Sequence, residues 1–366
     1  MTVTIVSGQA LSSVPVKFSA TAPGKAVLLG EYSVLQGAPA LSIAVDREVR
    51  VDVSAAYTGR CSVAAPRLSE SPARFTIGAD GKLLWRDERL SENFRLLDLV
   101  IDSLSEWDDI PSLPPESAFD LVLDSTALFH DEGTWKLGLG SSAALTVALV
   151  HALQEYTGTA PLEPGHWLPI LVKTHRALQS GRGSGVDIAT SLYGGAIEYQ
   201  LIGMRPAVEA LALPGELVYV FVWTGQSAST AGLLEQLDAW RNENVRKFST
   251  IMDHLGAIAA EGIAAVKGGD CNGFLSSVDR FSEFLDSLGS QASLNIFSPP
   301  HRALSVLAMK SGLVYKPCGA GSGDLGVAMG TNVNDIDRFT TLAGNSGYKT
   351  INMTLNPNGV QTIRSW

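Results

Sequence analysis

Lys136-Leu137-Gly138-Leu139-Gly140-Ser141-Ser142-Ala143-Ala144 sets two closely spaced glycines and two consecutive hydroxyls ahead of an apolar run that continues to Leu153. Glycine lets the backbone adopt positive φ and approach a ligand closely. Serines that open a helix sit where unpaired N–H groups and the positive end of the helix dipole favour an anion. The stretch reads as a phosphate-holding loop on the N-terminus of a helix over roughly 141–157. Taken alone it reads first as a glycine turn followed by a serine-capped helix. Other parts of the chain decide between the two.

Upstream, residues 17–56 read as strands, with a Pro-Gly turn at Pro23-Gly24 and period-two alternation in Glu48-Val-Arg-Val-Asp-Val-Ser54. Residues 60–90 form a β excursion, and Phe94, Leu97, Val100, Ile101 and Leu104 keep helical spacing. Asp120-Leu-Val-Leu-Asp124 is a short strand that delivers the chain to the glycine loop. Downstream, helices occupy about 141–157 and 167–179, followed by strands at 194–201 and 217–223. Leu233, Leu237, Trp240, Phe248, Ile251 and Leu255 then lie at helical spacing on one long segment. The end alternates strand, helix and strand, and a boundary falls near 205–215.

Three further motifs carry chemistry. Ala22-Pro23-Gly24-Lys25, continuing to Gly30-Glu31-Tyr32-Ser33-Val34-Leu35, places a fixed cation, Lys25, at a strand edge. Such a cation lowers the pKa of a reacting hydroxyl or neutralises charge in a phosphoryl transition state. Gly181-Arg182-Gly183-Ser184-Gly185-Val186-Asp187 puts glycines directly before an acid, which exposes the carboxylate. Asp187 reads either as a cap for the helix that follows or as a base that orients an attacking oxygen. Lys316-Pro317-Cys318-Gly319-Ala320-Gly321-Ser322-Gly323-Asp324 is a second glycine-dense loop, either a strained turn or a close approach of backbone to ligand.

Together and in this order, these motifs resemble the three signatures of the GHMP kinase superfamily, and the resemblance runs from about residue 17 to the C-terminus. It implies an α+β, two-domain GHMP kinase fold: a ribosomal protein S5 domain 2-like N-terminal domain (1–210) with the phosphate-binding loop, and a ferredoxin-like C-terminal domain (211–366). It also implies ATP and Mg²⁺ in the cleft between them. Gly30-Glu31-Tyr32-Ser33-Val34-Leu35, Lys136 just ahead of the loop, and Gly-Arg-Gly-Ser-Gly-Val-Asp187 resemble the phosphomevalonate kinase form more than the mevalonate kinase form. Two departures stand out: Ser322 occupies a position where the family favours Gly, and Arg176 one where mevalonate kinases carry a magnesium-binding Glu.

The resemblance implies roles residue by residue. Lys25 and Asp187 are catalytic. Lys136, Gly138, Leu139, Gly140, Ser141, Ser142 and Ala143 hold the nucleotide, with Ser142 also a Mg²⁺ ligand. Tyr32, Arg182, Ser184, Gly185, Ser229, Thr230, Gly319, Ala320, Gly321 and Ser322 bind the acceptor. The implied reaction is phosphorylation of (R)-5-phosphomevalonate. The alternatives are a relative acting on an alcohol such as mevalonate or a sugar, and a catalytically silent nucleotide-binding sensor. Presence of both Lys25 and Asp187 argues against the sensor, which needs the loops but not both charges.

Composition is consistent with that picture. The chain has 366 residues, 45% hydrophobic and 17% charged, long enough for two cores and unlike a disordered polymer. No apolar run reaches the roughly 20 residues of a membrane span, and the first residues lack the pattern of a signal peptide. Three cysteines, without CxxC spacing, fit reduced thiols. A net charge of −10 with no basic stripe argues against nucleic acid as a partner. The expectation is a cytoplasmic monomer or homodimer with a small phosphorylated substrate, His175 and His301 being satisfied or surface histidines without a metal pattern.

Overall fold

A computed structural model of the chain describes residues 17–56, 60–105, 113–114, 116–130, 135–160, 162–179, 181–228 and 230–365. Its first half is built on β1 (Lys17–Leu29), β2 (Ala40–Ala55), β3 (Cys61–Ala64), β4 (Ala73–Ile77) and β5 (Leu83–Trp85), then α1 (Arg95–Ser105) and β6 (Phe119–Asp124). Next come α2 (Ser141–Thr157), α3 (Pro164–Leu178), α4 (Val186–Tyr193), β7 (Ala196–Ile202) and β8 (Arg205–Leu211). The second half holds β9 (Val218–Trp223), α5 (Thr230–Glu243), α6 (Val245–Lys267), α7 (Cys271–Ala292), α8 (Pro299–Lys310), β10 (Val314–Pro317), β11 (Leu325–Gly330), α9 (Val333–Asn345), β12 (Lys349–Ile351) and β13 (Gln361–Ser365).

Two sheets organise these elements. The larger follows the order β13-β1-β2-β6-β3-β4-β5, with β7 on the near half of β2 and β8 beyond it; the smaller runs β10-β11-β9-β12. This is the mixed α+β architecture expected. The chain crosses from the first sheet to the second between β8 and β9, and β13 returns it to the edge of the first. From Ala22 to Leu29 every residue of β1 is buried, because α2 and α4 cover it on one side and elements of the second half reach the other. A lysine in such a strand must find a partner.

Three local details differ from the sequence expectations. Pro23-Gly24 is not a turn: β1 runs straight through it, and the irregularity is a bulge in which Pro23 pairs with Glu48 but Gly24 with Val45. Proline has no N–H for the ladder, and a bulge accommodates that loss. The long apolar segment after residue 230 is two helices, since Asn244 leaves helical geometry (φ −130°) between α5 and α6. The strand β13 carries five exposed residues and no apolar periodicity to betray it. Among the described residues no helix is long and apolar enough to cross a membrane.

Candidate active site

The bulge at Pro23-Gly24 brings β1 against the phosphate loop. Lys25 N–H donates to the Leu139 carbonyl at 2.9 Å, and a Cβ on Gly24 would sit 3.1 Å from that same oxygen. The backbones of the first two motifs are therefore stitched together directly. Lys25 is only 7% exposed, and its Nζ lies 3.4 Å from Asp187 Oδ1. The N-cap of α4 is Gly185, in left-handed geometry at φ +93°, with no side-chain cap. Asp187 is thus not the capping residue, and its carboxylate faces Lys25.

Gly138 and Gly140 both take positive φ (+76° and +75°) and lead into α2, whose N-cap makes no side-chain hydrogen bond. The amides of Ser141, Ser142 and Ala143 consequently open the helix without a side-chain competitor for an anion. Behind the loop stands Asp324, to which the motifs assign no role. A Cβ on Gly138 would meet its side chain at 2.6–2.8 Å, and the Asp324 Oδ1 accepts from the Ala228 amide at 3.2 Å. Burial pushes the Asp324 carboxyl up to about 6, against the pull of that amide, Lys25 and Lys136. Lys136 itself is exposed at the loop's outer edge.

His175, from α3, is buried, and its Nε2 lies 3.0 Å from Ser142 Oγ. Burial holds its imidazole below the ordinary histidine range, which favours the neutral ring. It is satisfied, as expected, but by a residue of the phosphate loop. His301 is likewise satisfied, between the Tyr315 hydroxyl (2.7 Å) and the Gly323 carbonyl (3.0 Å), and burial depresses it to about 4.

Beside the Lys25–Asp187 pair opens a cavity of about 360 Å³, bounded by the loops of both halves. Tyr32, Arg182, Ser184, Gly185, Gly319 and Ala320 line it, as do His175 and Glu31. Gly321 and Ser322 lie outside the lining: Ser322 N–H donates to Ile296 O at 2.8 Å, and a Cβ on Gly321 would collide with that carbonyl. Their role in the geometry is to fasten the third loop. Thr230 opens α5, whereas Ser229 falls outside the described residues. Arg182 reaches across the cavity mouth to Glu235 of α5 at 2.9 Å.

Arg176, the departure noted in the sequence, serves a structural purpose. Its guanidinium donates to the carbonyls of Gly183 (2.9 Å) and Ser184 (3.2 Å), and the Tyr199 hydroxyl donates to the Ser184 carbonyl at 2.6 Å. These bonds fix the glycine loop that carries Asp187 into place. Nothing in the motif itself signalled this, because the donor sits a helix-turn upstream of the loop it holds.

Residues 119–195 match the family model for the GHMP kinases N terminal domain. The chain is 31% identical over 340 residues to a phosphomevalonate kinase of Streptomyces sp. (strain CL190), covering 84% of this chain and 88% of that protein. It is 30% identical over 243 residues to a mevalonate kinase of Methanothermobacter thermautotrophicus, covering 65% of this chain and 66% of that one. A solved structure of Streptococcus pneumoniae phosphomevalonate kinase, in complex with phosphomevalonate and AMPPNP, superposes with a TM-score of 0.74 at 18% identity, over 92% of this chain and 99% of that one. With its loop order, its fold and a relative this similar over most of both lengths, the chain belongs to the GHMP kinase family and is an ATP-dependent small-molecule kinase.

Proposed function

We propose that this kinase transfers the γ-phosphoryl group of ATP to the phosphate of (R)-5-phosphomevalonate, yielding the 5-diphosphate in the mevalonate route to isoprenoids. The observation that carries the reading is the cavity lined by Lys25 and Asp187, with a guanidinium, Arg182, at its mouth and, in its wall, His175, whose ring meets Ser142 of the phosphate loop at 3.0 Å. Similarity to a phosphomevalonate kinase across most of the chain supports it. On this reading the division 1–210 and 211–366 corresponds to two domains that share the cleft, except that β13 rejoins the sheet of the first, and the enzyme works in the cytoplasm as a monomer or homodimer.

A phosphate acceptor has a second pKa near 6 and is already a nucleophilic anion at neutral pH. It does not require a strong general base. An aspartate ion-paired to lysine suits such an acceptor. Lys25 neutralises part of the charge that gathers when two phosphates meet, and Asp187 fixes the ammonium and orients the acceptor oxygen. Positive-φ glycines at 138 and 140 leave room for phosphate against the open amides of residues 141–143, with Lys136 at the edge. These features fit a nucleotide phosphate. Mg²⁺ prefers hard oxygen donors and keeps several waters; the Ser142 hydroxyl and nucleotide oxygens would hold it, with Asp187 nearby. When bound, the ion neutralises charge on the phosphates. Ser229 and Thr230 are proposed as further contacts to the acceptor phosphate.

In the structure Arg182 is engaged by Glu235, so the acceptor phosphate takes that carboxylate's place on the guanidinium. Both groups are partly exposed, and their pairing is worth little. The exchange is therefore easy. The test is ADP release by the purified protein with Mg²⁺-ATP and separate acceptors: mevalonate, 5-phosphomevalonate, 5-diphosphomevalonate, sugars and hydroxy amino acids. Turnover confined to 5-phosphomevalonate is expected. Arg182→Ala should raise the KM for that acceptor about tenfold and leave the KM for ATP within about twofold, as loss of one charge-assisted contact implies. Turnover on mevalonate or a sugar alone would overturn the acceptor assignment, and ATP binding with no turnover on any acceptor would point to the sensor.

Arg176→Ala is expected to lower kcat about tenfold with ATP affinity little changed, because the loop bearing Asp187 loses its two guanidinium bonds. Steady-state kinetics beside a nucleotide titration separates the two effects.

A further inference from the structure

Ser142 and His175 meet from two helices. Ser142 is the second residue of α2, and its Oγ lies 3.0 Å from Nε2 of His175, near the C-terminal end of α3. A serine in the first turn of a helix ordinarily turns its hydroxyl to solvent or back to the local backbone. This one is drawn to an imidazole. His175 is 4% exposed and stands in the wall of the cavity that Lys25 and Asp187 line. Its neighbour in sequence, Arg176, is spent on the carbonyls of Gly183 and Ser184. The helix α3 contains no acidic residue, so it brings no carboxylate to the phosphate loop. What it brings is a ring nitrogen.

A serine hydroxyl has one hydrogen and two lone pairs, and a neutral imidazole has one bare nitrogen and one N–H. Burial favours that neutral ring. Two arrangements satisfy the 3.0 Å contact. If Nε2 carries the hydrogen, the ring donates into a Ser142 lone pair and competes there with any cation that the hydroxyl holds. If Nε2 is bare, the hydroxyl donates to the ring, and both oxygen lone pairs stay free. A divalent cation strengthens the second arrangement, because an oxygen that gives electron density to a cation becomes the better hydrogen donor. An imidazole accepts that hydrogen without adding negative charge beside the nucleotide phosphates, as a carboxylate would.

We infer that His175 is a positioning residue for the nucleotide's Mg²⁺: its bare Nε2 accepts the Ser142 hydroxyl hydrogen and so turns the oxygen lone pairs toward the ion. The inference rests on the placement of Mg²⁺ at Ser142 proposed above and is independent of which acceptor is phosphorylated. His175 acts only through Ser142.

The test reads nucleotide binding, not turnover. Fluorescence titration with a non-hydrolysable ATP analogue, in excess Mg²⁺ and in EDTA, gives the factor by which the ion tightens binding. His175→Phe keeps an aromatic ring and removes the acceptor. It should cut that factor by about 10- to 100-fold, or abolish it, while metal-free affinity stays within about threefold. His175→Gln restores an acceptor oxygen near the Nε2 position and should hold the factor within about fivefold of wild type. Ser142→Ala should match His175→Phe, and the double variant should be no worse than either. A factor unchanged in His175→Phe, with Ser142→Ala impaired, overturns the role of His175 and leaves the metal at Ser142. A factor unchanged in both overturns the metal placement together with the inference. Equal losses with and without Mg²⁺ in His175→Phe mark a purely structural role and also overturn it. Nitrogen-15 NMR of histidine-labelled protein in the Mg²⁺-analogue complex gives a second readout. The His175 signals, identified by their absence from His175→Phe, should show a protonated Nδ1 and a bare Nε2; a proton on Nε2 overturns the inference.

Discussion

Replacing Lys25 with methionine is expected to lower kcat by about 10²–10³-fold while nucleotide affinity changes no more than about threefold, the range found when one preorganised charge is removed from a developing anion. Lys25 is almost wholly buried, and the Leu139 carbonyl takes its backbone N–H, a bond that methionine preserves. The phosphate loop therefore keeps its position, and only the ammonium is lost. Asp187→Asn should have a similar effect on kcat for a different reason: the neutral amide no longer holds the ammonium 3.4 Å away. Because the two groups act as a unit, the double variant should cost far less than the sum of the single losses. Rapid-quench measurement of the first turnover, set beside fluorescence titration with a nucleotide analogue, checks all three. Wild-type rates in either single variant would remove that residue from the chemistry.

The phosphate loop was legible because its signal is local: glycines at fixed offsets, hydroxyls, then a helix, within one short stretch. The same holds for α2 and β6, which the structure reproduces within a residue. Less legible was whatever depends on pairing across the chain. Glu31 and Lys316 are separated by 285 residues, and neither carries a mark of the other. Asp324 stood inside a glycine-dense motif, yet its contact with Gly138 appears only once the two loops are folded together. The capping alternative for Asp187 could not be dismissed from sequence, since Asp is a good cap; Gly185 takes that place because only glycine readily tolerates φ +93° with Val172 and the Tyr199 hydroxyl so close. Arg176 and His175 each act on a loop from a neighbouring helix, and helical spacing alone does not say which way they point.

The ion pair between Lys316 and Glu31, both buried where β10 meets the end of β1, also predicts the largest effect on stability. Lys316→Met alone should destabilise the protein by about 3–5 kcal/mol, because it leaves an uncompensated carboxylate in the interior. A fall of about 5 °C in the melting temperature would express this. Burial already raises the Glu31 carboxyl above its ordinary value, with Lys316 opposing the rise; without the lysine it rises further. In the unfolded chain a glutamate titrates near 4.3. Between that value and the higher folded one, the folded state retains a proton that the unfolded state has released, so stability falls as pH rises through this window and is unaffected below it. The deficit of Lys316→Met relative to wild type should accordingly be larger at pH 8 than at pH 5, with calorimetric scans at both pH values as the check. Glu31→Leu/Lys316→Met removes the stranded charge and should recover most of the loss, independent of pH over this range. A deficit that does not grow with pH would mean that Glu31 finds another counter-charge when Lys316 is gone, and that the fit of the third loop against β1 depends on packing more than on this ion pair.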